Sequence, residues 1–165
     1  MAANKEIKNS YLSIRKLIGT LGFLLPFILV AFENDFLASI SHYYYTKSAV
    51  FFIAILFAFG ILLISYKGYD FDPGTEKISD NFITHIGGFA ILLVVLIPTN
   101  CGGSNSSLIN QLCESGKYPL YGHMDNWKSV IHLVSAGAFL FSMGWMSLFK
   151  FTKGPKTKER MKTNL

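Results

Sequence analysis

Four long apolar stretches occupy most of this 165-residue chain and limit what it can fold into. They run approximately over residues 17–32, 48–66, 82–99 and 129–149. A helix needs roughly 20 apolar residues to cross the hydrocarbon core of a bilayer, so each stretch is long enough, or nearly so, to span a membrane. The sequence therefore predicts an all-α membrane protein, with four transmembrane helices packed as a bundle in one integral membrane domain over residues 1–165.

The composition agrees with a membrane-embedded chain. The sequence is 51% hydrophobic and only 15% charged, whereas a soluble domain is usually about one-quarter charged. The longest segment that is not apolar, residues 100–128, has the length of a loop, so no separate soluble domain is expected.

Basic residues are concentrated at the two ends of the chain, which carries a net charge of +5. One group precedes the first span and the other follows the last: Lys5, Lys8, Arg15 and Lys16, then Lys150, Lys153, Lys156, Lys158, Arg160 and Lys162. By the positive-inside rule, the chain is predicted to be a multi-pass protein of the cell membrane with both termini cytoplasmic. The loops over residues 33–47 and 100–128 then lie outside. We expect the basic tail, residues 150–165, to attract anionic lipid headgroups rather than nucleic acid.

The two cysteines, Cys101 and Cys113, both fall in the second of these outer loops. Thiols in an oxidising compartment tend to pair, so the sequence favours a disulfide that closes this loop. The alternatives are two unlinked thiols, or a zinc site that combines both cysteines with His123.

Polar and aromatic residues cluster in the segments predicted to lie outside. His132 falls about one turn inside the fourth span, where an ionisable residue is costly to bury and usually functional. The structural alternative is a neutral imidazole hydrogen-bonded to a serine or a carbonyl group across a helix interface. The residues predicted to bind a ligand are Ser41, His42, Tyr43, Tyr44, His132 and Ser135. The run Tyr43-Tyr44-Tyr45 also fits an aromatic belt at the membrane–water boundary.

Zinc is the one cofactor that these residues could assemble a site for. Neutral imidazole and carboxylate groups suit zinc, and the candidate ligands are His42, His132 and Asp125. No two histidines lie three or four residues apart, the spacing that places two side chains on one helix face, so the site would need separate segments. The sequence has no HExxH motif, nucleophile elbow or phosphate-binding glycine loop. No catalytic residue is therefore assigned, and no cofactor is expected.

Small residues on two spans predict close helix packing. The second span carries Ala54, Ala58 and Gly60. In the fourth span, one stripe at helical spacing contains Lys128, His132, Ser135, Phe139, Ser142 and Met146. Four helices of this kind bury little surface alone, so we expect a homo-oligomer or a complex with a partner membrane subunit.

Several short strings together resemble a known group of proteins. They are Ser41-His42-Tyr43-Tyr44-Tyr45-Thr46, Tyr66-Lys67-Gly68-Tyr69-Asp70, Pro98-Thr99 and Ile131-His132. The chain resembles uncharacterised bacterial polytopic membrane proteins of the Frag1/DRAM-like domain-of-unknown-function type. This resemblance implies a membrane-embedded helical bundle and brings no established reaction.

A more distant similarity is to ceramidase-type transmembrane hydrolases, which use Ser, Asp and three His around zinc. This chain departs from that pattern because Ser39 and His42 are three residues apart rather than four. It also has too few spans for that seven-helix fold.

The incomplete catalytic set favours a non-enzymatic protein that binds a lipid or a partner subunit at its outer face, as an oligomer. The first alternative is a metal-dependent membrane lipid hydrolase with His42 and His132 as ligands. The second is a small channel or transporter whose pathway passes His132, Ser135 and Ser142.

Overall fold

All regular structure in the computed structural model, which describes residues 2–66 and 78–150, is helical. The predicted all-α class is therefore confirmed for these residues. The elements are α1 (Ala2–Glu33), a 3₁₀ helix (Ile40–Tyr45), α2 (Ala49–Ile64), α3 (Asp80–Leu96), α4 (Ser107–Ser115) and α5 (Asn126–Trp145), with a π-helical turn (Met146–Lys150) after α5. The motif residues 67–70 and the basic residues 151–165 lie outside the described residues.

The long helices pack in sequence order: α2 lies against α1, α3 against α2, and α5 against α3. Glycine permits the close approach of α2 and α3. A Cβ atom on Gly88 would lie 2.9 Å from the carbonyl oxygen of Gly60. Gly60, which the sequence placed at a helix–helix contact, is therefore confirmed there. Ala54, from the same prediction, is exposed.

The predicted stripe on α5 is largely the face that packs against α3. His132, Ser135, Ser142 and Met146 are all buried. A Cβ atom on Gly87 of α3 would lie 3.0 Å from the Cβ atom of Ser142, so the two helices are in close contact there. The prediction that these residues form a helix–helix interface is confirmed.

Within the described residues, one segment, Asn126–Phe149, is long and apolar enough to cross a membrane. Three other apolar helices are shorter: Gly19–Glu33, Ala49–Ile64 and Asp80–Leu96. Helix length and composition thus support one of the four predicted spans.

The third helix is short because Pro98 ends it early. α3 stops at Leu96, although the third span was predicted to reach residue 99. A residue before proline is disfavoured in the helical region, and Ile97 adopts φ −119° and ψ 88°. Pro98 also lacks the N–H that would bond to the Val94 carbonyl group in a continuing helix. The last carbonyl groups of α3 are therefore free to accept hydrogen bonds from other segments.

The loops at one end of the bundle form a compact cap, defined here as residues 33–48 and 97–125. Ser39 begins the 3₁₀ helix, with its side-chain oxygen accepting from the Ser41 N–H at 3.3 Å. Thr46 ends it and donates from Oγ1 to the Tyr43 carbonyl group at 2.9 Å. In the other loop, Gly116 caps the C-terminal end of α4, and its φ of +66° is a conformation that glycine adopts without strain. Neither helical segment was predicted from the sequence.

Candidate functional site

The candidate site lies where the cap joins α3 and α5. The 3₁₀ helix contributes Ser41 and His42, the end of α3 contributes Ile97, and the second turn of α5 contributes His132. Sequence distances of 35 and 91 residues separate His132 from two of these partners. Tertiary packing therefore assembles the site, and no local motif encodes it.

His132 is held at both ring nitrogens. Its Nδ1 lies 2.8 Å from the carbonyl oxygen of Ile97, and its Nε2 lies 2.8 Å from Oγ of Ser41. A carbonyl oxygen can only accept, so Nδ1 must carry the hydrogen. The ring is only 1% exposed and neither partner is a carboxylate, which favours the neutral imidazole. In that tautomer Nε2 accepts, and the Ser41 hydroxyl group is the donor.

The structural alternative for His132 is a neutral imidazole hydrogen-bonded to a serine or a carbonyl group, and the ring has both of these partners. This arrangement also brings together two of the residues predicted to bind a ligand. Ser41 remains partly exposed, whereas the ring that it contacts is buried. One residue of this hydrogen-bonded pair is therefore in contact with solvent.

His42, next to Ser41 in sequence, is buried in the cap. Burial lowers the pKa of His42, and a hydrogen bond with the Gly102 backbone acts in the opposite direction. Its Nδ1 atom has no hydrogen-bond partner among the described residues. His42 is therefore an uncharged imidazole at neutral pH.

The three tyrosines of the 3₁₀ helix lie in the core of the cap rather than in an exposed aromatic belt. Tyr43 donates to the Asp35 carbonyl group at 2.8 Å, and Tyr45 donates to the Thr99 carbonyl group at 2.5 Å. The Tyr44 hydroxyl group accepts from the Tyr121 N–H at 3.3 Å. Burial raises the pKa of Tyr44, and it raises the pKa of Tyr45 to about 12. The aromatic-belt prediction is wrong because these hydroxyl groups bond to protein backbone instead of facing headgroups.

The disulfide between Cys101 and Cys113 is confirmed, with Cα atoms 5.6 Å apart. It ties α4 to the segment after α3, and Cys101 also donates from its N–H to the His123 carbonyl group at 2.9 Å. Because both sulfur atoms are in the disulfide, the alternative of a zinc site with His123 is wrong. His123 instead donates from Nε2 to the Pro98 carbonyl group at 2.9 Å and accepts at Nδ1 from the Asp125 N–H at 3.1 Å.

His132 and Asp125, two of the three residues proposed as zinc ligands, have partners within the protein. Both nitrogens of His132 are occupied, and Asp125 forms an ion pair with Lys128 at 2.6 Å. The hydrogen bond with Lys128 lowers the pKa of Asp125. In the part of the chain that the structure describes, no three His, Cys, Asp or Glu side chains are grouped to hold a metal ion. The zinc set of His42, His132 and Asp125 stays a prediction.

A pocket of about 330 Å³ opens beside the hydrogen-bonded network. Its lining combines apolar, aromatic and basic groups: Leu96, Ile97, Tyr121, Gly122, His123, Trp127 and Lys128. The Lys128 ammonium group lies 5.5 Å from the centroid of the Trp127 ring. Of the residues predicted to bind a ligand, none lines this pocket, although Ile97 links it directly to His132. Ser135 is buried on the same face of α5 as His132.

Three hydrogen bonds in and next to the cap were not predicted. The Asn105 side chain accepts from the Ala38 N–H at 2.7 Å and donates to the Phe36 carbonyl group at 2.8 Å, so it joins the two loops. The Thr99 and Ser129 hydroxyl groups lie 3.0 Å apart between the end of α3 and the start of α5. No sequence signal pairs these residues with their hydrogen-bond partners.

No protein-family model, curated protein or solved structure matches this chain. The resemblance to Frag1/DRAM-like proteins therefore stays a prediction.

Proposed function

We propose that this chain is a multi-pass protein of the cell membrane, with four spans and cytoplasmic termini, whose external cap binds an anionic lipid. The observation that carries the proposal is the set of large apolar side chains exposed along the long helices, which meet a disulfide-linked cap at one end. Large apolar side chains are exposed along all four long helices, including Phe23 (73%), Val50 (70%), Phe89 (58%) and Val134 (66%). Soluble monomers rarely expose contiguous apolar surface on this scale, whereas lipid tails would cover it.

The helix lengths are compatible with this proposal. α2 has 16 residues and α3 has 17. At about 1.5 Å per residue these helices extend roughly 24–26 Å, a few ångströms less than a hydrocarbon core of about 30 Å. Local bilayer thinning and flanking polar residues accommodate such a mismatch at modest cost.

The pocket beside Ile97 is the proposed lipid site. Its volume of about 330 Å³ is at the lower end of the range for small-molecule sites, which suits a headgroup whose acyl chains lie outside. Trp127 and Tyr121 supply the aromatic surface that is enriched at a membrane–water interface. Lys128 supplies a cation, which Asp125 holds in place and partly neutralises. A lipid phosphate would compete with Asp125 for this ammonium group.

Native mass spectrometry of the protein in mild detergent, with phosphatidylglycerol and phosphatidylethanolamine as probes, tests the site. One basic contact near a membrane surface is worth about 1 kcal/mol, so we expect Lys128→Gln to weaken phosphatidylglycerol binding about fivefold. Asp125→Asn should strengthen it, because the ammonium group loses its competitor. Lys117→Gln, at an exposed lysine outside the pocket, is the matched control. Equal binding of both lipids by all four proteins would contradict the proposal.

We also propose that the chain self-associates through its helices. A Cβ atom on Gly137 or Gly144 of α5 would have no neighbouring atom within 4 Å among the described residues, which leaves room for a second helix. Small residues of this kind support helix association in membranes. Chemical crosslinking in lipid nanodiscs should yield a dimer or a higher oligomer, and recovery of monomer alone would contradict self-association.

A further inference from the structure

The Ser41–His132 pair has the geometry of a nucleophile and its base. The Ser41 hydroxyl group donates to Nε2 of His132 at 2.8 Å, and Nδ1–H of the ring donates to the Ile97 carbonyl group at 2.8 Å. Serine nucleophiles are activated by a histidine within hydrogen-bond reach that a third group orients. We propose that Ser41 is the nucleophile of an acyl-transfer reaction on carboxylic esters. In this proposal His132 is the general base, and the Ile97 carbonyl group is its positioning group.

Ser41 differs from the other hydrogen-bonded serines in what it contacts. Ser48 and Ser142 are fully buried and donate to the carbonyl groups of Leu29 and Ala138. A carbonyl oxygen is a poor proton acceptor, so those hydroxyl groups are not activated. Among the hydrogen-bonded serine side chains in residues 2–66 and 78–150, only Ser41 contacts an imidazole nitrogen, and Ser41 is a partly exposed residue. Ser41 therefore has both a neighbouring base and contact with solvent.

The end of α3 explains why the base has the required tautomer. Pro98 stops the helix, which frees the Ile97 carbonyl group to accept from Nδ1–H. With Nδ1 protonated, the lone pair of Nε2 points at Ser41. A neutral carbonyl group stabilises an imidazolium ion less than a carboxylate does, so we expect slower turnover than in triads with an acidic third member. The Ile97 carbonyl group nevertheless holds His132 in the tautomer that a general base needs.

The reaction is balanced with water as the only co-reactant. Ser41 Oγ forms a bond to the ester carbonyl carbon while its proton moves to Nε2 of His132. The tetrahedral intermediate then breaks its bond to the alkoxy oxygen, which leaves as an alcohol with the proton from Nε2. Water attacks the acyl-Ser41 ester, His132 takes its proton, and that proton returns to Ser41 Oγ as the carboxylic acid leaves.

An alkyl fluorophosphonate probe, applied to the full chain in mild detergent, tests the proposal. We expect wild-type protein to be labelled at Ser41, as mapped by peptide mass spectrometry, and Ser41→Ala to lose the label. Loss of a general base costs typically 10²–10⁴-fold, so His132→Gln should be labelled at least about 100-fold more slowly. Ser115→Ala, at an exposed serine on α4, is the matched control and should be labelled like wild type. Disulfide formation and helical circular dichroism verify that each variant is folded.

A second measurement keeps the proposal testable if His132→Gln does not fold. Ser41→Cys places a thiol against the same imidazole, so it should react with iodoacetamide at pH 7 faster than Ser115→Cys, although Ser115 is more exposed. Hydrolysis of p-nitrophenyl butyrate that Ser41→Ala abolishes would add support. The proposal would be overturned if folded wild-type protein carried no label at Ser41. It would also be overturned if Ser41 were labelled as fast in His132→Gln as in the wild type. These readouts do not involve Lys128, so their failure is distinguishable from failure of the lipid site.

Discussion

Breaking the Cys101–Cys113 disulfide should lower the stability of the protein by about 3 kcal/mol. The two residues are 12 positions apart, and the chain-entropy relation assigns about this value to a loop of that length. For a chain of this size, each kcal/mol corresponds to about 2–4 °C, so we expect the melting temperature to fall by about 6–12 °C. The loss should begin in the cap, because Cys101 is fully buried and pairs with the His123 backbone.

Intrinsic tryptophan fluorescence during heating in mild detergent provides the assay. Trp127 stands beside the cap and Trp145 at the far end of α5, so the signal reports on both ends of the bundle. The Cys101→Ser/Cys113→Ser variant should melt at the temperature of reduced wild-type protein and should not respond to reductant. Wild-type protein that melts at one temperature with and without reductant would refute the reasoning, since the disulfide would then not constrain the unfolded chain.

Three further predictions concern the cap and the helix contacts. Tyr45→Phe leaves two buried backbone groups without their partner, so the free energy of unfolding should fall by about 1–3 kcal/mol, whereas Tyr121→Phe, at an exposed ring, should change it little. Because burial holds the pKa of His42 below 6.5, the unfolded chain binds its proton more readily; stability should therefore fall as pH drops below about 6.5, and thermal melts of His42→Gln should show a weaker pH dependence. Gly88→Ala places a methyl group 2.9 Å from a backbone oxygen of α2 and should cost about 1–3 kcal/mol, whereas Gly19→Ala meets no described atom within 4 Å and should be tolerated; a melting temperature equal for the two alanine variants would contradict this packing.

Two kinds of feature could be predicted from the sequence: those that depend on the spacing of residues along a helix, and the disulfide, which depends on a loop predicted to lie outside the cell. The helical class follows from the apolar stretches, and the α5 face follows from the spacing of His132, Ser135 and Ser142. The disulfide follows from the placement of both cysteines in one loop. Each of these signals lies within one segment, so a single sequence reveals it.

The cap could not be predicted because long-range contacts determine it. The tyrosine run is equally compatible with a membrane interface and with a buried cluster, and what decides is the Thr99 carbonyl group, 54 residues from Tyr45. Pro98 marks the end of a helix, but nothing local indicates that the carbonyl group before it accepts from His132. Asn105 likewise bonds to a loop 67 and 69 residues away.

The candidate site was predicted as a set of residues but not as an arrangement. Ser41 and His132 were both among the predicted ligand-binding residues, and they form a direct hydrogen bond. Tyr43 and Tyr44 instead brace the cap through their hydroxyl groups. The pocket next to the site is lined mainly by residues that the sequence did not single out, because pocket walls come from three separate segments.

The native lysines offer the most direct test of the central claim, a membrane protein with an external cap. Intact cells are treated with an amine-reactive reagent that does not cross membranes, and the labelled lysines are mapped by mass spectrometry. We expect label on Lys47 and Lys117 of the two cap loops and none on the basic residues at either terminus until the cells are permeabilised. The chain should also remain in the membrane fraction after an alkaline wash. Label on the terminal lysines of intact cells, or release of the chain by the wash, would contradict the account.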